Sequence, residues 1–150
     1  MADDLDSWAD QLQERIYEQA REEYSETVYR LWREPVRMGR MAAPDGRSRV
    51  TGGCGDTIEI YLLVEDENVK DVTFYTDGCA TSVAAGSMAA QLAAGRPLDR
   101  VADISGEDVL NALDGLPEES EHCADLAAEA LSRAVDDYYR RTLGEDPGAG

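Results

Sequence analysis

A chain of 150 residues with 43% hydrophobic and 31% charged residues suits one folded domain and is not compositionally disordered. A formal net charge of −18 repels nucleic acid and anionic membrane surfaces, and no apolar run approaches the length of a bilayer span. The acidic start, Met1-Ala2-Asp3-Asp4-Leu5-Asp6, lacks the basic and apolar regions of a signal peptide, so a cytoplasmic protein with reduced thiols is expected.

From Leu5 to Arg33 the pattern is helical: Leu5, Trp8, Leu12, Ile16, Ala20, Tyr24, Val28 and Leu31 recur at three- and four-residue steps. Ser25 followed by Glu26 can cap a second, separate helix inside this region, and Glu34-Pro35 ends it. Residues 37–47, with Gly39, Pro44 and Gly46, read as an irregular connection. A β region follows. Thr57 to Val64 places Ile58, Ile60, Leu62 and Val64 on one face, Glu65 to Asn68 is a polar turn, and Val69 to Thr76 returns with Val72 and Phe74 inward. Ser48 to Gly52 adds a short third strand.

Beyond Cys79 the chain turns helical again, alanine-rich from Thr81 to Ala94 and stopped by Gly95-Arg96-Pro97. Ser105-Gly106-Glu107 starts a short helix through Ala112. Leu116-Pro117-Glu118-Glu119-Ser120 leads into a last helix, Glu121 to Arg141, with an inner stripe of Leu126, Ala127, Ala130, Leu131, Ala134 and Tyr138. Residues 144–150 read as a flexible tail. Strands early and helices late predict an α+β fold: a small antiparallel sheet of about three strands, helices packed on one face, and long N- and C-terminal helices.

The three cysteines carry the chemistry. Cys54 lies in Gly53-Cys54-Gly55-Asp56, Cys79 follows Asp77-Gly78 at the start of a helix, and Cys123 follows His122, the only histidine. Thiolates, a carboxylate and an imidazole are soft and borderline ligands suited to zinc or iron–sulfur chemistry. Helix starts at Cys79 and, after a Ser120 cap, near Cys123 favour thiolates through free N–H groups and the helix dipole; the glycines around Cys54 allow N–H donors to face sulfur. Each residue also has a plainer reading. A buried cysteine can be a small hydrophobe, Asp56 can satisfy a turn, and His122 can be an exposed helix-start residue. A Cys–His hydrolase is disfavoured because adjacent helical residues point apart. There is no CxxC pair and no lysine to complete a phosphate loop.

Tyr24-Ser25-Glu26 before Glu34-Pro35, then Cys54-Gly55-Asp56, Gly78-Cys79-Ala80 and His122-Cys123 before Leu126-Ala127, resemble the IscU/NifU-type iron–sulfur cluster assembly scaffolds. The resemblance runs from about Tyr24 to Arg141. It implies a scaffold domain over 24–143, after a helical extension over 1–23 and before a tail over 144–150. It further implies that Cys54, Cys79 and Cys123 are cluster ligands, and that Asp56 and His122 are further metal ligands. A cysteine desulfurase would deliver sulfur as a persulfide, with Cys123 as acceptor. Iron and electron donors would complete a transient 2Fe–2S cluster, which passes to apo iron–sulfur acceptor proteins; zinc can occupy the apo site. Scaffolds served by a dedicated Hsp70 chaperone carry a Leu-Pro-Pro-Val-Lys-like segment where this chain has Leu116-Pro117-Glu118-Glu119-Ser120, which argues against that partner. Two other readings stand beside the scaffold, which is a carrier rather than an enzyme. One is a SufU-like, zinc-dependent sulfur-transfer protein, and the other a structural zinc module that only binds proteins.

Overall fold

The computed structural model describes residues 2–53 and 55–144. In chain order these form α1 (Ala2–Glu23), α2 (Glu26–Arg33), β1 (Gly46–Thr51), β2 (Thr57–Glu65), β3 (Asn68–Tyr75), α3 (Ala80–Ala93), α4 (Leu98–Ala102), α5 (Gly106–Ala112), a single 3-10 turn over Glu118–Ser120, and α6 (His122–Thr142). The strands make an antiparallel sheet in the order β1-β2-β3. Val50 stands opposite Ile58 and Ile60 opposite Phe74, with a bulge between Leu63 and Val64. The α+β fold expected from the pattern is the one observed.

Period-two alternation turns Ile58, Ile60 and Leu62 of β2, with Val72 and Phe74 of β3, toward the helices, and all five are fully buried. Small side chains bring α3 onto this face. Ala84, Ala85, Ala89, Ala90 and Ala93 are buried, and a Cβ at Gly86 would sit 2.5 Å from the Phe74 ring, so glycine is what lets that ring pass. Helix α6 lies against α3 and β1 through Leu126, Ala127, Ala130, Leu131 and Ala134, while Ser48 donates to the Ala130 carbonyl at 2.7 Å. Tyr138, expected on the same stripe, is half-buried.

The N-terminal region departs from expectation. A single inner stripe from Leu5 to Leu31 is not formed, because the chain leaves the helix at Tyr24-Ser25. Ser25 adopts an extended conformation, accepts the Val28 N–H and donates to the Leu113 carbonyl, starting α2 against the end of α5. Val28 and Leu31 of the stripe are buried in the core and Tyr24 packs against it half-buried, whereas Leu5, Trp8, Leu12 and Ile16 of α1 are exposed. Helix α4 is not expected from the pattern, because five residues are too few to display a period. Of the expected tail, 145–150 lie outside the described residues. No described helix is long and apolar enough to cross a membrane.

Candidate metal centre

Antiparallel pairing puts the end of β3 beside the start of β2, so Asp56, just before β2, and Cys79, just after β3, meet at one end of the sheet. Thr76 fixes the exit of β3: its hydroxyl donates to the Thr57 carbonyl at 2.6 Å and accepts the Gly78 N–H at 3.1 Å. Cys79 is the N-cap of α3, as its place in the sequence suggested. The N-terminus of α6 arrives at the same end. It begins at His122 after an N-cap at Glu121, not at Ser120, which closes the 3-10 turn; Cys123 is therefore in the first turn of α6.

Ligand-type atoms gather here. One oxygen of Asp56, one ring nitrogen of His122 and the sulfur of Cys123 lie within 4.8 Å of one another. The Cys79 thiol donates to Asp56 Oδ2 at 3.6 Å. His122 Nε2 stands 3.7 Å from Cys123 Sγ, so side-chain reach brings together two adjacent residues whose helical directions diverge. Asp56 is half-buried, His122 and Cys79 are exposed, and Cys123 is 1% exposed. Cys54 lies outside the described residues. On either side of it, the Gly52 N–H donates to the Asp56 carbonyl at 2.9 Å and the Gly55 N–H to the Gly52 carbonyl at 3.0 Å. Gly55 has φ +93°, a conformation that glycine adopts without strain.

The two described thiols are not equivalent. Burial alone pushes the Cys79 thiol up, but hydrogen bonding from the Thr81 hydroxyl and from Ser82 outweighs it and holds the thiol below the usual cysteine range. For Cys123 burial wins. The thiol is pushed up despite the same two hydroxyls, and the neighbouring Cys79 and Asp56 charges add to the shift. The expectation that every cysteine sits where a thiolate is favoured therefore holds for Cys79 and fails for Cys123, because a helix start that is also packed in the core desolvates the anion. In the metal-free protein, iodoacetamide at neutral pH is expected to modify Cys79 more than roughly tenfold faster than Cys123. Peptide mass mapping over time reads this, and equal rates would mean that Cys123 is open to solvent.

Three participants were not singled out from sequence. Thr81 and Ser82, 1% and 0% exposed, place their hydroxyls between the two sulfurs and the carboxylate. Their signal was present: two hydroxyl residues in the first turn of an otherwise apolar buried helix must find polar partners. Tyr24 is the third. Burial first, then the charges of Glu23, Cys79, Glu119 and Cys123, raise its phenol above the ordinary range.

Two sulfurs, a carboxylate and an imidazole suit zinc, or iron within a cluster, better than calcium or magnesium, which take oxygen ligands. A family model described as the NifU-like N terminal domain matches residues 23–145. The chain is 39% identical over 119 residues to iron–sulfur cluster assembly scaffold protein IscU 1 of Archaeoglobus fulgidus, covering 79% of this chain and 78% of that protein. It is 31% identical over 122 residues to the IscU scaffold of Aquifex aeolicus, again covering 79% and 78%. Among solved structures, the N-terminal part of a NifU-like protein from Brucella abortus superposes with a TM-score of 0.61 at 22% identity, over 78% of this chain and 94% of that one.

Proposed function

The chain belongs to the NifU-like N-terminal domain family, and from that premise we propose that it is an iron–sulfur cluster assembly scaffold, a carrier rather than an enzyme. The observation that carries the reading is the meeting of Asp56, Cys79, His122 and Cys123 at one end of the sheet, open at Cys79 and His122 and closed at Cys123. Cys54, Cys79 and Cys123 are the proposed cluster ligands, with Asp56 and His122 as exchangeable ones. Residues 24–143 are the proposed working unit, and 1–23 an extension to it.

In this reading the cluster is cargo. A cysteine desulfurase offers a persulfide, a thiolate of the scaffold attacks its outer sulfur, and the donor thiolate leaves. Two electrons per sulfur from an electron donor then reduce the persulfide, releasing sulfide to iron and restoring the thiolate. Cys123, the acceptor named from the resemblance, is buried, so acceptance there requires the first turn of α6 to move aside; Cys79 is the thiol that an incoming donor meets first. Three thiolates with an oxygen or nitrogen fourth ligand hold a cluster less firmly than four thiolates, which suits release to an apo acceptor protein. The net charge of −18 speaks against nucleic-acid and membrane partners and fits the cytoplasm. The segment Leu116 to Ser120 lacks the motif that would suit a dedicated Hsp70 partner.

Anaerobic incubation with ferrous iron, L-cysteine and a cysteine desulfurase tests the proposal. A labile 2Fe–2S chromophore that moves to an apo-ferredoxin is expected. Tightly held zinc with persulfide on a cysteine, and no chromophore, would replace the scaffold by zinc-dependent sulfur transfer. The mixed donors Asp56, His122 and Cys123 within 4.8 Å also suit that second reading.

A further inference from the structure

The buried hydroxyls of Thr81 and Ser82 occupy the space between the ligand atoms. Thr81 Oγ1 lies 3.0 Å from Cys79 Sγ and 3.4 Å from Cys123 Sγ. Ser82 Oγ donates to Asp56 Oδ2 at 2.8 Å and lies 3.6 Å from Cys123 Sγ and 3.7 Å from Cys79 Sγ. Each hydroxyl has one proton to give and two lone pairs. The proton of Ser82 goes to the carboxylate, its nearest and most basic acceptor, and its oxygen stays within contact distance of both sulfurs. Thr81 Oγ1 stands within hydrogen-bond reach of both sulfurs, and either partner can be the donor in each contact. Gly78 leaves room for this arrangement: a Cβ there would come within 3.1 Å of Asp56 Oδ1, Ser82 Cβ and Ser82 Oγ.

We propose that Ser82 and Thr81 are positioning residues of the metal centre, Ser82 clamping the Asp56 carboxylate against the thiols and Thr81 spacing the two sulfurs, so that the ligands stand assembled before metal arrives. The effect is one of preorganisation. Without the hydroxyls, the carboxylate would keep only the long 3.6 Å contact from the Cys79 thiol and would turn toward water, and no hydroxyl would stand between the two sulfurs. The inference rests on the reading of Asp56, Cys79 and Cys123 as ligands, and it assigns to α3 a function beyond holding Cys79.

The test uses the full chain, metal-free, with zinc as the probe in competition against a chromophoric chelator. Ser82→Ala is expected to weaken zinc binding roughly 10- to 100-fold, the usual loss when an outer hydrogen-bond partner of a ligand is removed. In the Asp56→Ala background the same substitution is expected to add less than about twofold, because its effect passes through that carboxylate. A merely structural serine would lower affinity equally in both backgrounds, and that result overturns the proposal, as does a Ser82→Ala protein that binds zinc like the wild type. Should Ser82→Ala lower the melting temperature of the metal-free protein, Thr81→Val against Thr81→Ser decides. The hydroxyl-bearing variant is expected to keep zinc affinity and the valine variant to lose it, and equal affinities sink the idea. A wild-type chain without zinc affinity overturns the ligand reading itself, a different failure from a tight wild type matched by Ser82→Ala.

Discussion

Phe74→Ala is expected to destabilise the protein by about 3–5 kcal/mol, the usual range for deleting a buried phenyl ring. Phe74 is fully buried near the end of β3, opposite Ile60 and against Gly86 of α3. The cost depends on how far the surroundings collapse into the space left behind. Here the facing helix offers glycine and alanines, which have no rotamers with which to fill a hole, so the upper half of the range is expected. For a domain of this size that corresponds to a fall in melting temperature of roughly 6–20 °C. Chemical denaturation of the metal-free variant checks the value. A loss under about 1 kcal/mol would mean that α3 slides onto the sheet and that the small-residue contact is not rigid.

Cys79→Ala and Cys123→Ala are each expected to reduce bound iron and chromophore by at least about tenfold in the reconstitution described above, since removing a ligand costs no less than removing a group that orients one. The two should differ in stability. Cys79 is exposed, and its loss should leave the metal-free melt within about 0.5 kcal/mol of wild type. Cys123 packs among Leu126, Ala127 and the rest of the core, so its truncation should cost about 1 kcal/mol. A melt of the wild-type chain with and without chelator separates a scaffold from a structural metal module. The buried cluster from Val28 to Val135 is built from apolar side chains of the sheet and helices, so the fold is expected to survive without metal. A wild-type chain that unfolds when its metal is removed by a chelator would instead make the metal a structural element. A variant that keeps its chromophore would remove that cysteine from the ligand set.

Much of this molecule is legible from local chemistry. Alternation along Thr57–Val64 and Val69–Thr76 marks two strands whose expected inner residues Ile58, Ile60, Leu62, Val72 and Phe74 are buried, because one face of a sheet must be dry, while Val64, past the bulge, is only half-buried. Cys79, set between Gly78 and an alanine-rich run, marks a thiol at a helix start, which is where it stands. The last helix shows its buried stripe through Leu126, Ala130, Leu131 and Ala134. Periodicity states which residues share a face, and for these elements that was sufficient.

Periodicity does not state what covers the face. The stripe through Leu5, Trp8, Leu12 and Ile16 has the spacing of a core helix, yet it lies outside the core because Ser25 caps a new helix and turns the chain away. The environment of a thiol is equally non-local. Cys79 and Cys123 both begin helices, and only packing decides that one is exposed, with its thiol held down by hydroxyls, while the other is buried and pushed up. The hydroxyls of Thr81 and Ser82 acquire a role only when α3 and α6 meet, since the sulfur of Cys123 and the carboxylate of Asp56 come from elements 41 and 26 positions away from Ser82. Sequence by itself named the candidate ligand atoms, and for Asp56, Cys79, His122 and Cys123 it named the element ends that carry them. Desolvation and the pairing of buried polar groups depend on atoms far apart in the chain, so tertiary structure alone decided which thiol is ready to react and what holds the carboxylate beside it.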